Sequence, residues 1–303
     1  MNNIYDCLII GSGPCGISAA IELHNANKKV AIIECSTPGG KVNIAPRVDN
    51  YPGFKEIPGP QLAMEFYKRA NEAQIEYIYD TVIELSKDGE LFHIKGNEGE
   101  YTAKTVLVAS GTREKKIGVP KEDEFLGHGV SYCALCDGHF FKDKIVVVIG
   151  GGNAALKEAL HLVHIASKLY LVHRRNEFRG YNKLVDELKE FPNAEILTPY
   201  VLDEILGENK VEGVVLMNKE TEEKITVKTD GLFPLVGQLP NTQFVKIEGV
   251  LDEYNTIPVD KRGETSCHNL FAGGDVTSRP IRQIYLAERD GKNAAKSILE
   301  NLQ

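Results

Sequence analysis

The 303-residue sequence lacks several features that mark particular classes of protein. It contains no uninterrupted apolar run of the length that a membrane span needs. Its first residues include no basic segment of the kind that begins a signal peptide. It has no long basic block, and its formal net charge of −8 argues against a nucleic-acid-binding protein. These absences predict a soluble, cytoplasmic protein.

Cysteine is also scarce, because six cysteines in a chain of this length are too few for a secreted disulfide scaffold. Two of them form the motif Cys133-x-x-Cys136, which Asp137 follows directly. The motif alone leaves open a zinc site, a structural disulfide and a catalytic redox pair. The other four have no partner at close spacing, and we interpret them as small packing residues. These are Cys7, Cys15, Cys35 and Cys267.

The chain opens with the pattern of a dinucleotide-binding βαβ unit. Gly11-x-Gly13-x-x-Gly16 lies between an apolar strand and the start of a helix. The first glycine permits a tight turn, the second lets the backbone approach a pyrophosphate, and the third lets helix and strand pack closely. A second strand ends at Glu34, at the spacing of about 20 residues where a carboxylate accepts hydrogen bonds from a ribose diol. This segment predicts a site for NAD or FAD.

The same pattern occurs again in the middle of the chain. Gly150-x-Gly152-x-x-Ala155 lies between a strand and a helix, and His173 occupies the ribose position after the next strand. Guanidinium groups can hold a 2′-phosphate through paired hydrogen bonds, whereas a carboxylate would repel it. Three arginines follow the histidine, namely Arg174, Arg175 and Arg179. This second segment therefore predicts an NADP(H) site.

Two such segments in one chain indicate an electron-transfer enzyme. Two nicotinamides would be redundant, whereas a flavin can pass the electrons of a hydride to a pair of thiols. We therefore expect FAD in the first segment and NADPH in the second.

The order of strands and glycine turns predicts an α/β fold of two Rossmann-like, three-layer nucleotide-binding domains. Residues 1–112 and 243–303 are expected to form the FAD domain. Residues 113–242, which carry the two closely spaced cysteines, are expected to form an NADPH domain inserted into it. The two connections form a natural double hinge. The alternating segment 81–109 predicts a hairpin or meander that covers the first sheet, with a counterpart at 211–233.

The assembled motifs resemble those of the low-molecular-weight thioredoxin reductases of the bacterial type, in matching order over essentially the whole chain. The resemblance implies FAD, NADPH, a homodimer, and thioredoxin as the protein disulfide substrate. The chain departs from the family pattern at residues 286–289, where relatives usually have Thr-Ala-Ala-Gly. The matching motifs are GSGPCG, VDNYPG, ASGTR, SYCALCDG, GGGNAA, HRRNEFR, GQLPNT, LFAGGDV and the Arg-Gln pair at 282–283.

The resemblance also implies which residues bind the cofactors, and it implies no metal ligand. For FAD they are Gly11, Ser12, Gly13, Gly16, Glu34, Gly39, Gly40, Lys41, Asn50, Val82, Gly111, Asp275, Val276, Arg282, Gln283 and Ile284. For NADPH they are Gly150, Gly152, Asn153, Ala154, His173, Arg174, Arg175 and Arg179.

By the same resemblance, Cys136 is the thiol that faces the flavin and Cys133 is the outer thiol that attacks the disulfide of thioredoxin. Asp137 is a candidate general acid, since the leaving thiol needs a proton. The alternative for Asp137 is a helix-capping carboxylate. The resemblance further implies that the NADPH domain rotates about the double hinge between two poses.

Three other functions compete with this interpretation. Cys133-x-x-Cys136-x-x-His139 could begin a zinc site, although no second pair of ligands with metal-binding spacing is present. A related flavoprotein disulfide reductase or dithiol oxidase could use another electron donor or substrate. A non-catalytic redox sensor could bind dinucleotides without turnover.

Overall fold

The computed structural model describes residues 4–45, 48–279 and 281–303, apart from the side chain of Cys136. The α-helices are α1 (Pro14–Asn25), α2 (Gly59–Glu72), α3 (Ala134–Asp137), α4 (Asn153–Leu162), α5 (Asn182–Lys189) and α6 (Ile284–Asn301). The strands are β1 (Ile4–Ile10), β2 (Val30–Glu34), β3 (Glu76–Tyr79), β4 (Val82–Asp88), β5 (Leu91–Gly96), β6 (Glu100–Val108), β7 (Thr112–Glu114), β8 (Ile145–Ile149), β9 (Lys168–Val172), β10 (Ala194–Leu197), β11 (Tyr200–Leu206), β12 (Gly213–Asn218), β13 (Lys224–Lys228), β14 (Gly231–Pro234), β15 (Gln238–Pro240) and β16 (Leu270–Ala272). None of the helices in these ranges has the length and apolar composition of a membrane-spanning segment.

The chain divides into two compact units. We call Met1–Arg113 together with Leu239–Gln303 the split unit, and Glu114–Gln238 the inserted unit. The segments that connect them contain β7 and β15, which form a two-stranded sheet. The sheet of the split unit is mainly parallel, and the four-stranded sheet of the inserted unit is wholly parallel. The fold is therefore α/β, as expected. The nucleotide that we assigned to each domain stays a prediction.

The sheet of the split unit has the strand order β3-β2-β1-β6-β5-β4, with β16 also pairing with β6. Strand β1 is parallel to both of its neighbours, with Leu8 opposite Ala31 on β2 and Val106 on β6. Its apolar side chains are buried on both faces of the sheet, which is typical of a central parallel strand. The order of strands reverses at β1, and ligands of such sheets bind beyond the carboxyl ends of the strands at that point.

Helices α1 and α6 pack together on one face of this sheet. A Cβ atom placed on Gly291 would lie 2.1 Å from the carbonyl oxygen of Cys15, so only glycine allows the two backbones to approach this closely. Asn27 adopts a left-handed conformation, with φ of 59°, where α1 has ended.

The meander predicted at 81–109 forms as strands β4, β5 and β6, with β5 paired to β6 and β4 paired to β5. Leu85 of β4 and Phe92 of β5 are buried in one cluster with Leu8 of β1. The meander therefore packs over one face of the first sheet, as predicted.

The inserted unit contains a parallel sheet with the strand order β10-β9-β8-β14 and a separate antiparallel sheet of β11, β12 and β13. The second sheet does cover one face of the first. Val147 and Val172 of the parallel sheet share a buried cluster with Leu202 and Val214 of the antiparallel sheet.

The prediction that four cysteines are packing residues is only partly correct. Cys7 and Cys15 are fully buried, and Cys267 packs partly against the core of the split unit. Cys35 is exposed, because it lies immediately after the end of β2, where the chain leaves the sheet. All four are free thiols.

Candidate active site

The first glycine loop, residues 11–16, joins β1 to α1. Gly11 has a φ of 102°, and a Cβ atom there would lie 2.6 Å from the carbonyl oxygen of Ala109. A Cβ atom on Gly16 would lie 2.0 Å from the carbonyl oxygen of Gly11, so the first and third glycines are required for the fold. A Cβ atom on Gly13 would meet nothing within 4 Å. The open side of the loop therefore lies at the second glycine, where a pyrophosphate is expected to approach the backbone.

Glu34 ends β2 beside this loop and is only 8% exposed. Its Oε2 accepts hydrogen bonds from the backbone N–H of Ser12 at 2.8 Å and from the Ser12 hydroxyl at 2.6 Å. Its Oε1 accepts one from the backbone N–H of Ser36 at 2.8 Å. These bonds fix the carboxylate at the edge of an open cavity of about 180 Å³ that is also lined by Tyr79 and Asn97. A ribose diol fits a fixed acceptor of this kind.

A second turn lies against the first glycine loop. Gly39 has a φ of 108°, and its N–H donates a hydrogen bond to the carbonyl oxygen of Ser12 at 2.8 Å. A Cβ atom on Gly40 would lie 3.5 Å from the Cα of Gly13. Lys41 follows, and its Nζ donates to the hydroxyl of Thr112 at 3.4 Å. The structure thus brings the predicted residues 39–41 to the first glycine loop.

Two more of the predicted FAD residues meet across the chain. The side-chain amide of Asn50 donates a hydrogen bond to Oε1 of Gln283 at 2.9 Å. Gln283 directly precedes α6, whose first residue is Ile284, and Arg282 directly precedes Gln283. Two other predicted residues, Asp275 and Val276, lie in a 3₁₀ helix that follows β16.

The remaining predicted FAD residues lie at strand ends of the split unit. Gly111 has a φ of 65°, and its carbonyl oxygen accepts a hydrogen bond from Asn241 at 3.0 Å. Val82 is the first residue of β4, and it follows Thr81, which lines the cavity beside Glu34.

The departure from the family pattern at 286–289 introduces a charged cluster. The hydroxyl of Tyr51 donates a hydrogen bond to Oε2 of Glu288 at 2.7 Å. Glu288 also forms ion pairs with Arg69 at 3.7 Å and with Lys292 at 3.3 Å. Burial, followed by the hydrogen bond to Glu288, raises the pKa of Tyr51. The Glu288 side chain, which is larger than the alanine usual in relatives, thus connects α6 to α2 and to the NYPG segment.

The second glycine loop, residues 150–155, repeats the geometry of the first in the inserted unit. A Cβ atom on Gly150 would lie 2.5 Å from the carbonyl oxygen of Leu235, whereas one on Gly152 would meet nothing within 4 Å. Asn153 begins α4, and its side-chain oxygen accepts a hydrogen bond from the N–H of Tyr181 at 2.8 Å. Ala154, in the first turn of α4, is exposed. A pyrophosphate therefore also fits this loop at Gly152, the second glycine of the motif.

The predicted 2′-phosphate residues lie beside the second glycine loop. The N–H of Arg179 donates to the carbonyl oxygen of Gly151 at 2.9 Å, which folds the arginine segment back onto the loop. Arg174, Arg175 and Arg179 are exposed, and none of them forms an ion pair within the described parts of the chain. Three guanidinium groups without a carboxylate partner provide a site for a dianion.

His173 differs from the three arginines. It is buried, its ring stacks on Phe178, and a Cβ atom on Gly151 would lie 2.2 Å from its imidazole. Burial lowers the pKa of His173, and the charges of the neighbouring arginines lower it further. We therefore assign it a packing contact with the loop in addition to any contact with the nucleotide.

The two closely spaced cysteines lie at α3, a single helical turn in the inserted unit. Cys133 is disulfide-bonded. Zinc needs a thiolate, and a disulfide sulfur does not provide one, so the structure does not support the zinc alternative for Cys133. The backbone N–H of Ala134 donates a hydrogen bond to Oε2 of Glu158 on α4 at 2.6 Å. Sequence reasoning missed Glu158, because no motif marks a contact between positions this far apart in the chain.

Asp137 is half-buried at the end of α3. Its Oδ2 accepts a hydrogen bond from the hydroxyl of Ser131 at 2.5 Å, and its Oδ1 is buried without a hydrogen-bond partner among the described residues. It makes no side-chain capping bond to the helical turn that it precedes, so the capping alternative is wrong. Burial raises the pKa of Asp137, against the opposing effects of Ser131 and His139.

Comparisons with known proteins agree with this geometry. The family model described as pyridine nucleotide-disulphide oxidoreductase matches residues 5–291. Curated relatives include a thioredoxin reductase of Mycoplasma pneumoniae (40% identical over 301 residues, 99% of this chain and 96% of the relative) and one of Bacillus subtilis (40% over 304 residues, with the same coverage). The solved structure of thioredoxin reductase from Streptococcus pyogenes is 37% identical, with a TM-score of 0.87 over 100% of this chain and 99% of that one.

Proposed function

Because the chain belongs to the pyridine nucleotide-disulphide oxidoreductase family, and within it to the thioredoxin reductases, we propose that it reduces the disulfide of thioredoxin with NADPH. The pair Cys133 and Cys136 passes the electrons to thioredoxin, and a bound FAD would supply them to this pair. The observation that carries this proposal is the combination, in one chain, of two open glycine loops with a disulfide-bonded Cys133.

The split unit holds FAD. The N-terminus of α1 and the open backbone at Gly13 bind the pyrophosphate, and Glu34 accepts hydrogen bonds from the ribose. The turn at Gly39 and Gly40 encloses the loop from the other side. When bound, FAD accepts two electrons from a hydride and passes them to a disulfide.

The inserted unit holds NADPH. The backbone at Gly152 and the N-terminus of α4 receive the pyrophosphate, and the guanidinium groups of Arg174, Arg175 and Arg179 bind the 2′-phosphate. The lack of a carboxylate at the ribose position makes the site selective for NADPH over NADH.

The cysteines perform thiol–disulfide exchange. Once the pair is reduced, the outer thiolate, Cys133, attacks one sulfur of the thioredoxin disulfide, and the second sulfur leaves as a thiolate. Cys136 then attacks the mixed disulfide, which restores the enzyme disulfide and releases dithiol thioredoxin. Asp137 supplies the proton that a newly formed thiolate needs, and burial favours the protonated form of its carboxyl group by raising its pKa.

The inserted unit carries both the cysteines and the NADPH site, and each of them must reach the flavin. We propose that this unit rotates about the connecting strands β7 and β15, so that the two reach the flavin in turn. A cross-link that joins the two units is expected to allow at most one turnover. Undiminished multiple turnover in the cross-linked protein would refute the rotation.

Two further proposals rest on the resemblance to the family and on chemistry. The enzyme is a homodimer, which sedimentation of the purified holoenzyme tests directly. It acts in the cytoplasm, where thiols are kept reduced and a close pair of cysteines is more often catalytic than structural.

The function is tested by anaerobic titration of the yellow holoenzyme. NADPH should bleach the flavin band, and oxidised thioredoxin should then restore it. If reduced ferredoxin bleached the flavin band and NADPH did not, another electron donor would be favoured. Bleaching that thioredoxin does not reverse would point to another disulfide substrate or to a redox sensor.

A further inference from the structure

We call residues 133–137 the redox turn. Ser131 forms hydrogen bonds with the backbone of Cys133 and with the carboxyl group of Asp137 in this turn. Its hydroxyl oxygen accepts a hydrogen bond from the backbone N–H of Cys133 at 3.1 Å. The same hydroxyl donates its proton to Oδ2 of Asp137 at 2.5 Å, with the carbonyl oxygen of Cys133 as a longer alternative acceptor at 3.3 Å. A continuous chain of hydrogen bonds therefore runs from the backbone of the outer cysteine to the carboxyl group.

The segment that carries Ser131 is held firmly. Ser131 is only 4% exposed, and its N–H donates to the carbonyl oxygen of Leu232 on β14 at 3.0 Å. The hydroxyl of the next residue, Tyr132, donates to Oε1 of the buried Glu122 at 2.8 Å. Glu122 also accepts the N–H groups of Ile117 and Gly118 at 3.0 and 2.7 Å. The backbone that carries the Ser131 hydroxyl is therefore held by contacts outside the redox turn.

The two oxygens of Asp137 consequently have different surroundings. Oδ2 is occupied by the Ser131 hydroxyl, whereas Oδ1 is buried and has no partner among the described residues. A proton on the carboxyl group therefore resides on Oδ1, because Oδ2 already accepts a hydrogen bond. We propose that Ser131 is a positioning residue that fixes Asp137 so that Oδ1 delivers the proton to a cysteine sulfur. This inference rests on the proposed function, in which Asp137 is the proton donor.

Two electrons enter the disulfide and break the sulfur–sulfur bond, which leaves two thiolates. The proton on Oδ1 of Asp137 converts one of them to a thiol, and the carboxylate that remains keeps its hydrogen bond from Ser131. In the reverse direction Oδ1 accepts the proton of the thiol as it becomes a nucleophile.

Other ionisable groups surround Asp137 in the inserted unit. His139 lies two residues further along and favours the carboxylate, as the Ser131 hydroxyl does, while burial opposes both. Helix α4 packs against the redox turn with Glu158, which accepts the N–H of Ala134, and with His161, which lies near Gly138. A pH profile of the wild type alone would therefore mix several groups, and variants are needed to isolate Asp137.

The test uses the holoenzyme, reduced anaerobically with one equivalent of NADPH and mixed with oxidised thioredoxin from pH 5 to 9. The rate of recovery of the flavin band is measured for the wild type, Ser131→Ala, Ser131→Thr and Asp137→Asn. Ser167→Ala, an exposed serine of the same unit, is the matched control. Flavin content and circular dichroism establish that each variant is folded.

We expect Asp137→Asn to lower the rate about 100-fold and to remove the fall in rate at high pH that belongs to this group. Ser131→Ala should lower the rate about tenfold and shift that fall to higher pH, because the carboxylate loses its donor. Ser131→Thr, which keeps the hydroxyl, should restore the wild-type profile.

One result would overturn the role of Ser131, and another would overturn that of Asp137. A Ser131→Ala profile with the wild-type midpoint, while Asp137→Asn loses the same limb, would overturn the role of Ser131 and leave that of Asp137 intact. An Asp137→Asn profile equal to that of the wild type would instead overturn the role of Asp137 in the proposed function.

Discussion

Two glycines of the first glycine loop are expected to respond differently to substitution by alanine. Gly16 is needed for close packing, whereas Gly13 leaves room for a ligand. Gly16→Ala would place a Cβ atom 2.0 Å from the carbonyl oxygen of Gly11 and 3.1 Å from Cγ2 of Ile9. The strand and helix would have to separate by more than about 1 Å, since ordinary contacts of this kind begin near 3.4 Å. Overpacking of a core usually costs about 1–3 kcal/mol and sometimes more. We expect Gly16→Ala to lower the free energy of unfolding by about 3 kcal/mol, near the upper end of this range.

Gly13→Ala should behave differently. Gly13 has an extended backbone with φ of −73° and ψ of −178°, and an added Cβ atom meets nothing within 4 Å. Alanine at a compatible position usually changes stability by less than about 1 kcal/mol, in the stabilising direction. The methyl group would nevertheless occupy the open side of the loop, where the pyrophosphate of FAD is expected. The variant should therefore fold normally and purify without flavin.

Both variants are compared with the wild type as apoproteins, since bound FAD would add its own stabilisation. Unfolding in urea is followed by circular dichroism, because the chain has no tryptophan to serve as a fluorescent probe. Flavin per chain is measured by absorbance after reconstitution. The reasoning would be refuted by a Gly13→Ala protein that keeps a full complement of flavin, or by equal stability losses in the two variants.

Three further predictions concern the inserted unit. Gly152→Ala should keep its flavin and its stability but lose at least about 90% of its reduction by NADPH, while dithionite still bleaches it; normal reduction by NADPH would contradict the open-loop argument. Arg175→Ala should raise the KM for NADPH about 10- to 100-fold and leave that for NADH unchanged, with Lys183→Ala as the exposed control; equal effects on both nucleotides would exclude a 2′-phosphate contact. Burial raises the pKa of Asp137 above the unfolded value near 3.8, so the cost of its charge is absent below that pH and grows as the pH rises through the folded pKa. Asp137→Asn should therefore resist urea better than the wild type at pH 8 and equally well at pH 3.5; a variant less stable at pH 8 would contradict the direction of the shift.

The sequence was most informative where chemistry restricts the choice of residue. Gly11 and Gly16 could be located because the fold excludes any side chain at those positions, and Glu34 could be placed beside the first glycine loop from its spacing alone. The assignment of the arginines after β9 to a 2′-phosphate rests on the same spacing and stays a prediction. Such constraints are local, so a single sequence carries them.

What the sequence did not reveal depends on contacts between distant positions. The bond from Asn50 to Gln283 and the bond from Ala134 to Glu158 follow no periodicity or spacing rule. Ser131 was part of a recognised motif, but its role became visible only when its hydroxyl was found between Cys133 and Asp137. Alternation of apolar residues predicted β4 and β5 as strands, but it did not indicate that they would be hydrogen-bonded into the same sheet as β1.

We propose that electrons from NADPH leave this protein through Cys133 and Cys136 and appear as thiols on thioredoxin. The most direct measurement is the ratio of NADPH oxidised to thioredoxin thiols formed under anaerobic conditions, for the wild type, Cys133→Ser and Cys136→Ser. Two thiols are expected for each NADPH with the wild type, and none above background with either variant. NADPH oxidation without thiol formation by the wild type, or thiol formation by either serine variant at the wild-type rate, would contradict it.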